Sequence, residues 1–436
     1  MARRRSETLQ VLMNGILVGE LRRSARGLLS FAYGDDWLDS EQRRPISLSL
    51  PLTGQEYVGE VVENYFENLL PDSLPLRHLL QARVAAPSAS CFDLLRQIGR
   101  DCIGALQIVP EGHFPEVRAV QATPISDSDI GHILRNCRSV PLGIDLEADF
   151  RLSVAGVQEK TAFLWYRNTW HRPAGATPTS HLFKLPIGTL GASGIDLRDS
   201  IDNEWLCCKI LQEFGLPVAH TTIRMFDGQR VLVVERFDRR WAEDGSWLIR
   251  LPQEDMCQAL GKSAALKYEA DGGPGVPAIM DVLLGSRSSG EDRKIFLTAQ
   301  LLYWLLAAID GHAKNFSIFH LAGGIFTLTP LYDILSAYPL VASRQLARQK
   351  ISMAMAVHGK NRHYRWDTIC RRHWLETAKK CRFPADDMDR IIDACCDRLP
   401  AVVARVAQQI PPGFPEAVVS AIFTGMEQAK ERLSRS

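Results

Sequence analysis

The sequence is short of extremes, and each shortage excludes something. Its 436 residues carry a formal net charge of +1, so no global field draws it to nucleic acid or a membrane surface, and any such contact has to be local. The ten cysteines are scattered with no C-x-x-C pair, and no Cys/His spacing resembles a zinc site. Buried, reduced thiols are the expectation. No apolar run is long enough to span a bilayer; the longest, residues 295–309, is interrupted by Thr298 and Gln300. Arg3-Arg4-Arg5 opens the chain like a signal peptide, but the next apolar stretch is broken at Asn14-Gly15 and Glu20, so a cytoplasmic protein without membrane contact is expected. Internal repeats, low-complexity segments and a triple-glycine phosphate loop are all missing.

What remains is ordinary in bulk, with 46% apolar and 23% charged residues, and long enough for two or three domains with packed cores. The informative stretch is residues 301–333. An apolar helical run leads to Asp310, a polar turn follows through Gly311, His312, Ala313, Lys314 and Asn315, and an apolar strand, a Gly323-Gly324 turn and a return strand lead on to Asp333. The pattern is an acid and an amide four residues apart, with a second acid beyond a hairpin. Phosphoryl transfer needs one carboxylate at the attacking hydroxyl, and an amide oxygen and a second carboxylate to hold magnesium on the phosphates. Protein kinases supply them as Asp-x-x-x-x-Asn followed by the aspartate of a DFG motif. Here Tyr332-Asp333 stands at the DFG position. A single D-x4-N also arises by chance, so the remainder of the chain has to provide a nucleotide loop, a lysine and a hinge.

Along the chain, Asn14-Gly15 between two apolar runs predicts a hairpin, because Asn-Gly tolerates positive φ. Residues 29–33, 46–50 and 104–109 read as strands and 61–70, 76–84 and 92–98 as helices. They form an α+β domain over residues 1–110 with no catalytic constellation, read as structural or regulatory. Residues 111–150 read as a linker and one helix. From 151 to 245 a nucleotide-binding region is expected: extended segments surround the small-residue turn Ser153 to Gln158, where backbone N–H groups can approach phosphates. Lys184 sits in a short apolar strand, residues 188–199 form an aperiodic loop read as mobile, and Glu204, early in a helix over 202–214, is a candidate partner for Lys184. A β-branched strand at 229–234 runs into Glu235-Arg236-Phe237, suited to a link between lobes. Residues 246–436 read as mainly helical, including separate helices at 386–398 and 401–410. Residues 360–382 are dense in Lys and Arg, opposed in sequence only by Asp367 and Glu376 and interleaved with Trp366 and Trp374, which suggests contacts to a phosphate backbone.

Taken together, the motifs resemble the HipA family of bacterial serine/threonine kinase toxins. They include SLSLPL at 47–52, ENLLPDS at 67–73, IGRD at 98–101, SVAGVQEKTA at 153–162, HLFKLPIG at 181–188 and DNE at 202–204. They continue with ERFDRRW at 235–241, LPQEDMCQ at 251–258, DGGPG at 271–275, DGHAKNFS at 310–317 and YDILSA at 332–337. The resemblance implies a bilobal, phosphoinositide-kinase-like fold: a mixed α/β N-terminal half and a helical C-terminal lobe. It implies ATP and Mg2+ as cofactors and Asp310 as the group that accepts the acceptor's proton. Asn315 and Asp333 would hold the metal. Ala155, Gly156, Val157, Gln158, Glu159, Lys160 and Lys184 would take the phosphates, Glu235, Arg236 and Phe237 the adenine, and His312, Ala313, Lys314 and Tyr332 would line the nucleotide. Ser153 matches the family's autophosphorylation serine; a dianion there would repel the ATP phosphates.

Implied partners are a HipB-type helix-turn-helix antitoxin, operator DNA reached through that complex with Lys379 and Arg382 as local contacts, and a protein substrate, with glutamyl-tRNA synthetase the family's best-known target. Two other readings fit the same residues: a kinase-like corepressor with little catalysis, and a small-molecule or lipid kinase.

Overall fold

A computed structural model describes residues 6–137, 158–190 and 194–435. The chain divides into two compact units: Met1–Leu185, Arg224–Ala265 and Ile318–Phe326 form the first, and Pro186–Ile223, Leu266–Ser317 and Thr327–Ser436 the second. No helix among the described residues is long and apolar enough to cross a membrane.

The first unit begins with an antiparallel sheet of β1 (Glu7–Met13), β2 (Ile16–Arg23), β3 (Leu29–Tyr33), β4 (Tyr57–Val58) and β5 (Leu106–Pro110), in the order β4-β3-β2-β1-β5. The β1–β2 turn is the expected one. Asn14 and Gly15 hold φ of 49° and 79° between the paired residues Met13 and Ile16, so two left-handed residues reverse the strand. Helices α1 (Glu60–Glu67), α2 (Leu74–Arg83) and α3 (Cys91–Ile98) accompany this sheet. Its core gathers Val11, Leu21, Phe31, Tyr65, Phe66, Leu95 and Ile98. Residues 46–50 are not a strand. Ser47 and Leu50 form only an isolated bridge, because Ser47 and Ser49 turn their hydroxyls onto the Gln258 carbonyl, at 3.2 and 2.8 Å.

A second antiparallel arrangement in this unit pairs β6 (Ala122–Pro124), β8 (Thr169–Pro173), β7 (Lys160–Tyr166), β9 (His181–Lys184) and β10 (Gln229–Glu235) in that order. Side chains alternate across a strand. Phe163, Phe183, Val231 and Val233 therefore share one face with Ile130 and Leu134 of α4 (Asp127–Asn136), while Lys160, Ala162, Leu182, Lys184 and Leu232 share the other. A further sheet orders β13 (Gln253–Asp255), β14 (Ser317–His320) and β15 (Phe326–Leu328), preceded in sequence by the hairpin of β11 (Arg239–Trp241) and β12 (Leu248–Arg250).

Buried charge ties these layers of the first unit together. Asp101 accepts from Arg239 at 2.9 Å and Arg236 at 3.3 Å and lies 3.4 Å from Arg250, while Asp238 takes Arg236 and Arg239 at 2.8 and 2.9 Å. Thr179 and the Gly104 amide complete the two carboxylates. Burial alone would push the Asp101 carboxyl up, but the three guanidinium groups outweigh it and hold it well below the usual carboxylate range. The IGRD and ERFDRRW motifs thus meet as one ionic weld.

The second unit is mainly helical: α5 (Ser200–Glu213), α6 (Ser289–Leu305), α7 (Arg371–Lys380), α8 (Ala385–Ala407) and α9 (Glu416–Arg435). The expected break near Pro400 does not occur; the 23-residue α8 carries Pro400 inside it. Its missing N–H costs one helical bond, while Leu399, Val402 and Val406 keep an unbroken buried stripe on either side. Residues 188–199 are not the aperiodic loop that the sequence suggests: Gly188–Leu190 and Ile195–Leu197 pair as a short antiparallel ribbon. All ten cysteines are free thiols, and only Cys370 is not fully buried.

Replacing Asp101 by Asn leaves three buried guanidinium groups with one carboxylate, and a loss of about 3–5 kcal/mol is expected, measured by urea unfolding at pH 7. Because the Asp101 pKa is depressed, the parent keeps this contribution above the ordinary carboxylate range of roughly 4 and loses it only as pH falls further. The variant lacks it at every pH. Equal stability of the two proteins at pH 7 would contradict the weld.

Candidate active site

In the second unit, α6 ends at Leu305 and its last carbonyls are taken by a distant segment. Ser336 Oγ donates to the Leu306 carbonyl at 2.6 Å and the Ala337 amide to Ala307 at 2.9 Å. Ser336 is itself held twice by Asn203 of α5: the amide donates to the Ser336 carbonyl at 2.7 Å and accepts its N–H at 2.8 Å. The DNE and YDILSA motifs are therefore two halves of one joint, which fixes where residues 332–337 run beside the end of α6.

Between these anchors lies the polar turn. The His312 amide closes on the Asp310 carbonyl at 2.8 Å and the Ala313 amide donates to the Lys267 carbonyl at 3.2 Å. Gly311 has to be glycine for reasons of space, since an added Cβ would meet the buried Tyr303 ring at 2.5 Å. Asn315 is buried and donates through Nδ2 to two carbonyls, Asp310 at 2.8 Å and Asp333 at 3.3 Å. Only the NH2 group can donate, so these bonds fix the amide's orientation and turn Oδ1 away from both carbonyls. Tyr332 donates to the Lys314 carbonyl at 2.8 Å and meets the Ser317 hydroxyl at 2.6 Å. Asp333 adopts φ 62°, a left-handed conformation that non-glycine residues seldom hold unless surrounding contacts impose it.

The acids differ in exposure. The Asp310 side chain is 53% exposed, and His312, packed in the turn, places Nε2 3.9 Å from its Oδ1. Lys314 and Asn315 are buried. Asp310, His312, Ala313, Lys314, Asn315, Tyr332 and Asp333 thus form one connected group within the second unit. Sequence reading missed Tyr268, whose hydroxyl donates to Asp310 Oδ1 and whose ring stands edge-on to His312 at 5.0 Å. It lies 42 residues upstream, and no local pattern marks it.

The first unit holds the other expected group. Lys160 on β7 and Lys184 on β9 are directly opposed across the ladder, on the same face, and each is only 7% exposed. Like charges placed opposite one another repel, and the repulsion grows as water is removed. The described end of the small-residue turn is stitched beside them: Gln158 Nε2 donates to the Leu185 carbonyl at 2.6 Å, and the Leu185 amide to Glu159 at 3.1 Å. Ser153, Ala155, Gly156 and Val157 lie outside the described residues.

Glu235 is exposed at the end of β10, and Phe237 stands edge-on to Phe319 at 5.8 Å. Arg236, in the same link, turns its side chain inward. Its guanidinium is buried on Asp101, Asp238, Thr179 and the Cys102 carbonyl, and its amide donates to Ser180. Lys184 and Glu204 are both buried, on β9 and α5.

The basic stretch at 360–382 is less bare than it reads. Arg371 bonds Asp389 and Asp393, Arg365 bonds Asp367, Lys379 bonds Glu376, and Arg382 bonds Asp281. Trp366 and Trp374 are buried around Trp304 rather than displayed between the cations. Lys379 and Arg382 remain well exposed despite their partners.

Comparison with known proteins agrees along the chain. Residues 152–403 match the HipA-like C-terminal domain and residues 9–109 the HipA N-terminal domain. Y4mE of Sinorhizobium fredii, which carries the name of a kinase, is 33% identical over 348 residues, 78% of this chain and 80% of that protein. The serine/threonine-protein kinase toxin HipA of Shewanella oneidensis is 28% identical over 343 residues, covering 76% and 75% of the two chains. The solved complex of Shewanella oneidensis MR-1 HipA, HipB and operator DNA contains a chain that superposes with TM-score 0.81 at 24% identity, over 98% of each chain.

Gly311→Ala should force the turn away from Tyr303 and lower stability by about 1–3 kcal/mol, the usual cost of overpacking. Thermal unfolding checks this, and an unchanged midpoint would show that the turn has room to give.

Proposed function

The chain belongs to the HipA family of serine/threonine-protein kinases, and on that footing we propose that it is the kinase toxin of a toxin–antitoxin pair, moving the γ-phosphate of ATP to a serine of a protein target. The observation that carries the reading is the Asn315 amide bonded to the carbonyls of both Asp310 and Asp333. It ties the backbone of both acids to one oriented amide, which supports reading them as the groups that in-line phosphoryl transfer needs.

Asp310 orients the acceptor hydroxyl and takes its proton. Asn315 Oδ1 and the Asp333 carboxylate hold magnesium. The donor set suits a small hard cation that keeps most of its waters and asks for one or two protein oxygens; among the described residues there is no cluster of three or more metal-ligating side chains to suggest a closed cage. Magnesium, when bound, neutralises charge on the phosphate oxygens. Lys160 and Lys184, supported by the opposed register described above, bind phosphate oxygens together with the turn 155–159. Glu235 and Phe237 border the adenine, and His312, Ala313, Lys314 and Tyr332 line the nucleotide. Ser153 is the autophosphorylation site, and its modification silences the enzyme.

The likeness to a HipA found with HipB and operator DNA supports a helix-turn-helix antitoxin as partner and corepression on the operator. Lys379 and Arg382 add phosphate contacts there, and the protein works in the cytoplasm. Glutamyl-tRNA synthetase is the first acceptor to try.

The decisive test is mass spectrometry after incubation with Mg-ATP. The parent should gain one phosphate at Ser153. Asp310→Gln should gain none while binding ATP as before, whereas Asp333→Asn should lose magnesium-dependent ATP binding as well; full autophosphorylation by Asp310→Gln would refute the assignment. Reversing the charges of Lys379 and Arg382 should reduce the salt dependence of operator binding by the antitoxin complex by about one unit of slope per lost phosphate contact, with the kinase rate unchanged. An unaltered slope would remove these residues from the DNA surface.

A further inference from the structure

The Asn315 clamp fixes the backbone of Asp310 but not its carboxylate, which sits half exposed on a turn. A carboxylate that must meet an incoming hydroxyl needs its rotamer set before the encounter. Tyr268 is the side chain that reaches it, its phenol donating to Oδ1. The segment around Tyr268 is braced beyond what a surface turn requires. The Lys267 carbonyl accepts from Ala313 in the turn itself, and the Tyr268 carbonyl accepts from Asp271 at 3.1 Å and Gly273 at 3.0 Å. Glu269, the next residue, is buried and accepts the Ala356 amide at 2.7 Å.

This brace accounts for two of the three glycines of DGGPG, Gly273 and Gly275, which the phosphoryl-transfer roles leave unexplained. A Cβ on Gly273 would lie 1.9 Å from the Leu266 carbonyl oxygen and 2.8 Å from that of Tyr268, and one on Gly275 would lie 2.2 Å from the Glu269 carboxyl carbon. At Gly273 the obstruction is backbone, and at Gly275 it is the buried Glu269 carboxylate. The loop closes on the backbone of residues 266–269 at contact distance and so fixes the position from which the phenol extends. The Tyr268 ring, edge-on to His312 at 5.0 Å, closes the arrangement.

We infer that Tyr268 is a positioning residue for phosphoryl transfer: its hydroxyl holds Asp310 Oδ1, so that Oδ2 is presented to the acceptor hydroxyl, and the glycine loop at 271–275 exists to hold Tyr268 in place. The inference rests on Asp310 being the proton acceptor. Tyr268→Phe keeps the ring and its packing and removes only the donor.

The test compares parent, Tyr268→Phe and Asp310→Asn as full-length proteins. With Mg-ATP and casein as a generic serine acceptor, Tyr268→Phe should show kcat lowered roughly tenfold, the scale of one charge-assisted hydrogen bond, with the KM for ATP and the thermal midpoint unchanged. A purely structural role would move the midpoint and KM together. Independently of turnover, the ultraviolet resonance Raman difference between parent and Tyr268→Phe isolates one phenol. It should report strong donation to a carboxylate that is absent from the same difference taken in an Asp310→Asn background. If Asp310→Asn keeps parental activity, the proton-acceptor reading fails. If Asp310→Asn is inactive and Tyr268→Phe turns over at the parental rate or faster, the positioning role alone is overturned, as it is by a phenol that donates only to water.

Discussion

An asparagine side chain has two donor hydrogens and one acceptor oxygen, and most of the candidate site follows from how Asn315 uses them. With Nδ2 bonded to the carbonyls of Asp310 and Asp333, the turn at Asp310 and the segment at Asp333 are held at one point. The amide oxygen is left facing the other way. Asp333 has to accept a left-handed backbone to keep its carbonyl there. That conformation is held by the rest of the joint, where Ser336 caps the end of α6 and Asn203 grips Ser336 from both sides. Removal of any one bond would loosen the others, because each fixes the geometry its neighbours need.

The first unit depends on a different constraint. Asp101 and Asp238 with Arg236, Arg239 and Arg250 are two negative and three positive groups almost wholly withdrawn from water. A buried ionic cluster adds little net stability compared with apolar packing, but it tolerates few alternative arrangements. The cluster joins the chain after α3 to the segment that enters β11 and to the end of β12. Arg236, which reads as part of an adenine-binding link, is committed to this weld through its side chain, while its amide donates to the Ser180 carbonyl. Its neighbours Glu235 and Phe237 are not.

Likeness to known HipA proteins and the physical reading reach the kinase by separate routes. The ladder register sets Lys160 and Lys184, both nearly buried, opposite one another on one face, an arrangement visible without reference to any relative. The basic stretch at 360–382 shows the converse. Its density in sequence overstates its field, since carboxylates from residues 281, 389 and 393 fold back onto it and its tryptophans belong to the core.

The order of the elements, the Asn14-Gly15 hairpin, the spacing of Asp310 and Asn315, and the hairpin leading to Asp333 were all determined by sequence, because each depends on neighbours within a few residues: periodicity, turn dihedrals, a single loop. Residues 46–50 and the junction at Pro400 misled for the same reason. Their local propensities are real, but distant partners, the Gln258 carbonyl and the buried stripe of α8, override them. Tyr268 reaching Asp310, Asn203 gripping Ser336, the opposition of Lys160 and Lys184, and the withdrawal of Arg236 into an ionic cluster were decided only by the tertiary structure. Each pairs residues distant in sequence, and no periodicity records which distant group will arrive to satisfy a buried donor or charge.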